Sequence, residues 1–104
     1  MKKEQLYDLS FQLILHSGNA RSLAMEALQK AKKGEFHKAS ELIEAADGEF
    51  LKAHRFQTDL IQAEAKGDKY DIPVLLVHAQ DHLMNALTVK DLTQEFIALY
   101  QKLN

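Results

Sequence analysis

Two histidines one helical turn apart, His78 and His82, and an aspartate between them, Asp81, mark the segment V-H-A-Q-D-H-L-M-N-A, residues 77–86. On a helix, positions 78, 81, 82 and 85 project into one neighbourhood, so Asn85 joins them. Three roles fit such a cluster. Imidazoles at i and i+4 with an acidic neighbour supply nitrogen and oxygen ligands for a metal. The string HAQDH is nevertheless not the zincin pattern HExxH, because Ala79 stands where the catalytic glutamate would be. His78 could instead be a nucleophile that takes a phosphoryl group on a ring nitrogen, while His82 helps to hold the charged product. The third role is purely structural, and His16, His37 and His54 are read that way. Gln80 lies about 160° around the helix from His78 and is left out of the chemistry.

The rest of the chain limits what this cluster can serve. In 104 residues there is room for one domain and one modest core. Thirteen Lys and Arg against fifteen Asp and Glu give a net charge of -2, which argues against binding nucleic acid through phosphate contacts. No cysteine is present, so disulfides, thiolate metal sites and a cysteine nucleophile are excluded. Glu4 and Asp8 interrupt what would be the apolar stretch of a signal peptide, and no apolar run is long enough to span a bilayer. A soluble cytoplasmic protein is expected.

Four glycines and one proline divide the chain into three long helical segments. The first covers 3–33, with apolar residues near helical spacing from Leu6 to Ala31, and Gly34 is its stop. The second covers 35–66, carries Phe36, Ala39, Ile43, Ala46, Phe50, Ala53, Gln57 and Leu60 at alternating steps of three and four, and ends at Gly67. Pro73 opens the third, which covers 73–103 and has the His78 cluster in its first half. Helices of this length, about 45 Å each, suit only lengthwise packing. The fold class is all-α, an antiparallel three-helix bundle forming a single domain over 1–104.

The third segment has two apolar faces. Leu76, Ala79, Leu83, Ala86, Leu87 and Ile97 make one, which can close the core of the bundle. Roughly opposite runs a second stripe: Val74, His78, Asp81, Asn85, Val89, Leu92, Phe96, Leu99 and Leu103. One small bundle has no second core for it, and monomeric proteins rarely keep so large a patch exposed. Self-association is the economical reading; a helix wrapped by the other two is the alternative.

Leu75 to Met84, L-L-V-H-A-Q-D-H-L-M, resembles the active-site signature of the lactose/cellobiose-type IIA component of the phosphoenolpyruvate-dependent sugar phosphotransferase system. S-G-N-A-R-S, residues 17–22, is similar to a first-helix motif of that family, with Asn19 where an aspartate is common. A-H-R-F-Q-T-D-L-I-Q-A-E-A, residues 53–65, resembles its second-helix segment, so the likeness covers nearly the whole chain in order.

The resemblance implies a homotrimer of three-helix bundles, in keeping with the second stripe. It implies that His78 accepts phosphate from the histidine-containing phosphocarrier protein and passes it to a cysteine of a IIB component. It implies that Asp81, one from each subunit, meets at the trimer axis around one divalent cation, magnesium. His82 falls at the motif position beside the phosphorylated residue, close enough to hydrogen-bond the phosphoryl oxygens. The function so implied is a phosphoryl carrier in uptake of a β-linked disaccharide, without direct contact with sugar or membrane. Lactose, cellobiose and chitobiose all stay open, because the membrane component handles the sugar. A non-catalytic helical adaptor or metal-binding bundle is the alternative.

Overall fold

A computed structural model describes all 104 residues, Met1–Asn104. Three helices of 30 residues follow one another: α1 Lys3–Lys32, α2 Phe36–Ala65 and α3 Val74–Leu103. They pack lengthwise, up, down and up, into a rod of 54 × 20 × 16 Å. The expected boundaries fall within one residue of those observed, a margin inside which helix ends are ill defined.

Both glycine stops act through their backbone. Gly34 and Gly67 have φ of 79° and 88°, the left-handed region that a side chain disfavours. At the end of α1, Gly34 N donates to Ala31 O and Glu35 N to Lys30 O, both at 3.0 Å. At the end of α2, Gly67 N donates to Glu64 O and Asp68 N to Ala63 O. Each pair is a Schellman closure, which satisfies carbonyls the helix leaves open. Pro73 departs from its expected place in the first helical turn. It is the N-cap, with extended ψ of 152°, and its carbonyl accepts from Leu76 N.

The core is narrow because α1 presents a column of small residues. Ala20, Ala24, Ala27 and Ala31 are fully buried, and so are Ala39, Ala46 and Ala53 of α2 and Ala79 and Ala86 of α3. Leu6, Leu13, Phe50, Leu60, Leu76 and Leu83 fill one end, and Ile43 with half-buried Phe36 and Ile97 the other. Close helix approach at the alanines makes α1 the element that both other helices lean on. α2 and α3 instead diverge, and cavities of about 310, 300 and 200 Å³ lie along the groove between them. Leu87 and Ile97, expected on the core face, pack against the two core clusters but also line that groove and stay half-buried.

The second face of α3 is outside. Val74 is 84% exposed and Leu103 72%; Leu92, Phe96 and Leu99 are about half exposed. The bundle does not wrap around this stripe. None of the three helices is long and apolar enough to cross a membrane.

Candidate functional site

His78 sits one turn into α3 on the outward stripe, exposed, with His82 one turn further on and half-buried. Their rings are perpendicular with centroids 4.5 Å apart, and the two Nε2 atoms are 3.0 Å apart. A bond between two imidazole nitrogens needs one N–H and one lone pair, so one ring donates and the other accepts. His78 keeps one flank open to solvent.

Asp81 is exposed on the same face and makes no ion pair or hydrogen bond within the chain. No three His, Cys, Asp or Glu side chains converge anywhere in the molecule. One chain therefore offers a hard cation a single carboxylate at Asp81, whereas such ions take six or more oxygens. The residue fits a divalent ion only if other copies bring their own Asp81 to the same point. The outward seam on which it lies would allow that.

Gln80 points to the opposite side of α3, as its helix angle requires, and accepts a hydrogen bond from Gln57 Nε2 of α2 at 3.0 Å. Ile61 of α2, Ile72 of the connection and Val77 of α3 line a cavity beside Gln80, and all three are exposed, as is Val74.

Of the histidines read as structural, His37 lies on the surface with Glu41 one turn away. His54 is exposed at the rim of the α2/α3 groove. His16 is more engaged. Its Nδ1 lies 2.6 Å from Glu49 Oε2, and its ring stacks on Phe56, so it clamps α1 to α2. Neither partner was visible from spacing, since Glu49 is 33 residues away on another helix.

Within the S-G-N-A-R-S segment of α1, Ser17 is buried with no partner for its hydroxyl, while Asn19, Arg21 and Ser22 are exposed. Arg21 forms no ion pair within the chain. Two groups with displaced proton affinity lie elsewhere. A hydrogen bond from Lys38, reinforced by the charge of Lys38, lowers the Glu35 pKa at the start of α2. Burial, then the charges of Glu64 and Asp68, raises that of Tyr70.

Comparison with known proteins agrees with this geometry over the full chain. The family model for the lactose/cellobiose-specific IIA subunit of the PTS system matches residues 8–101. The lichenan-specific phosphotransferase enzyme IIA component of Bacillus subtilis (strain 168) is 52% identical over 100 residues, covering 96% of this chain and 91% of that protein. A crystal structure of the PTS cellobiose-specific enzyme IIA from Bacillus anthracis has a TM-score of 0.92 at 58% identity, covering 99% of this chain and 93% of that one. Solution structures of the IIA(chitobiose)–HPr complex from the N,N'-diacetylchitobiose branch of the Escherichia coli phosphotransferase system give a TM-score of 0.82 at 38% identity, covering 99% and 98%. A three-helix rod, an outward histidine pair and these chain-long matches converge on one assignment: the chain belongs to the lactose/cellobiose-specific IIA subunits of the sugar phosphotransferase system, phosphotransferase components that carry a phosphohistidine.

Proposed function

We propose that His78 is the phosphoryl-carrying residue, that it is loaded by the histidine-containing phosphocarrier protein HPr, and that it unloads onto the cysteine of a IIB component during uptake of a β-linked disaccharide. The observation that carries this reading is the exposed His78 ring held by His82 at 3.0 Å, in a chain of this family. A related IIA component has been solved in complex with HPr, which supports the choice of donor.

The chemistry asks little of the protein beyond placement and charge stabilisation. In the resting pair, the His82 Nε2–H donates to the His78 Nε2 lone pair, which keeps the remaining His78 proton on Nδ1. As the donor's N–P bond lengthens, the His78 lone pair takes up phosphorus and its hydrogen bond from His82 is released. The same His82 N–H then donates to a phosphoryl oxygen, a charge-assisted bond that shifts with the charge. Unloading reverses these steps with a thiolate as acceptor. No proton has to be gained or lost by His78 during either transfer.

The apolar side chains around His78 give successive partners a surface to seat on, and loose docking suits a carrier that must exchange them. The outward seam from Val74 to Leu103 supports assembly into a homotrimer. In that assembly Asp81 of each subunit would hold one divalent cation, magnesium, whose charge offsets the repulsion of three carboxylates. The role of Asp81 is thus assembly, and that of His82 is stabilisation of the phosphoryl group. Phosphorylation by HPr in the presence and absence of a His78→Gln substitution tests the assignment.

A further inference from the structure

We infer that the hydrogen bond between Gln57 and Gln80 is a positioning pair for phosphoryl transfer from a protein donor: it holds α2 at a fixed distance from the α3 turn that carries His78. The inference rests on His78 as the phosphoryl acceptor.

The argument begins with what is missing between α2 and α3. The three cavities along their groove are lined by those two helices and the connection between them, with no residue of α1. Packing therefore does not set the width of this groove as it does along α1. Across it run two polar ties: Lys90 to Asp47 near the middle, and Gln57 to Gln80 two residues from His78. Gln57 occupies a position of the α2 seam whose neighbours, Ala53 and Leu60, are fully core residues. A leucine there would bury more apolar surface. Two amides instead leave a directional bond of 3.0 Å between half-buried groups.

Beyond this tie lies the cavity that separates Ile61 and Glu64 of α2 from Val77 of α3. Ile61 and Val77 are both exposed, and Val77 precedes His78. A protein donor that seats beside His78 meets both walls, so their separation decides whether its phosphoryl group arrives in line. Small errors of placement are expensive in such reactions. A small-molecule donor touches neither wall and should be indifferent.

That difference is the test. The full-length chain carrying Gln57→Met, and separately Gln57→Asn, whose shorter amide cannot reach Gln80, would be phosphorylated either by phosphorylated HPr or by phosphoramidate. With HPr, both variants should show kcat lowered about 10-fold with KM nearly unchanged, because a misaligned donor still binds. With phosphoramidate, His78 should be labelled at the parental rate. Gln57→Glu should keep the parental kcat, because Gln80 can turn its amide and donate to the carboxylate. An unchanged kcat with HPr in a folded Gln57→Asn chain would overturn the inference, as would equal slowing with phosphoramidate. A parental chain that accepts no phosphate at His78 from either donor would instead remove the proposed function, and this inference with it.

Discussion

Truncating Phe96 to alanine should loosen self-association without touching the fold. Phe96 lies in the middle of the outward seam and is 49% exposed in the single chain. A phenylalanine side chain offers roughly 200 Å², so association can remove about 100 Å² per copy from water. At about 25 cal/mol per Å² that is about 2.5 kcal/mol, of which an alanine keeps a small part, leaving about 2 kcal/mol lost. Three copies lose about 6 kcal/mol, or roughly 10⁴ in the equilibrium constant of a trimer. Since the half-dissociation concentration of a trimer scales as the square root of that constant, it should rise about 100-fold. Sedimentation equilibrium over a dilution series measures this shift directly. Circular dichroism should show the same helix content, because Phe96 is no part of either core cluster. An identical dissociation midpoint in parent and variant would refute the burial of this face between copies.

Three further outcomes follow from the site and its surroundings. His82→Gln removes the ring proposed to donate toward the phosphoryl group; transfer from HPr should slow about 10- to 100-fold, the worth of one hydrogen bond to a charged group, as read by quenched-flow labelling. Asp81→Leu should be trimeric in chelator and melt no lower than the parent: three carboxylates brought to one axis, as proposed, would repel by about 3 kcal/mol per pair, and leucine extends the apolar seam instead. It should still accept phosphate; a monomer in sedimentation, or a trimer that takes no label, would contradict the role given to Asp81. Glu35 has its pKa lowered by Lys38, so its stabilising contribution is full above its ordinary value of 4.5 and disappears as pH falls through the lowered folded-state value. The stability difference between parent and Glu35→Gln in urea should therefore be present at neutral pH and fade as pH falls below the ordinary carboxylate range.

The fold was legible because its signals are local. Gly34 and Gly67 each stop a helix through their own φ, and steps of three and four along α2 report one buried face whatever it meets. The outward stripe of α3 was legible for the same reason, since a second apolar face has nowhere to go in so small a bundle. Proximity of His78 and His82 needs only the pitch of a helix. What periodicity cannot say is which helix a face meets or how closely. The pairing of His16 with Glu49, and of Gln57 with Gln80, joins residues 33 and 23 positions apart on neighbouring helices. The divergence of α2 from α3 depends on the alanine column of α1 drawing both helices to itself. For that reason Leu87 and Ile97, apolar and at core angles, ended beside a groove. Ser10, Ser17 and Thr93 are buried where polarity argued for the surface; Ser10 manages this by donating to the Leu6 carbonyl of its own helix at 2.6 Å.

The central claim is that His78 carries the phosphoryl group, and one labelling experiment addresses it most directly. The chain would be incubated with phosphoenolpyruvate, the general phosphotransfer proteins and magnesium, then digested under alkaline conditions that preserve phosphohistidine. A single acid-labile phosphate on His78, absent from the His78→Gln variant whose helix content is unchanged, is the predicted result. Label on another histidine, or a His78→Gln chain labelled as well as its parent, would contradict it.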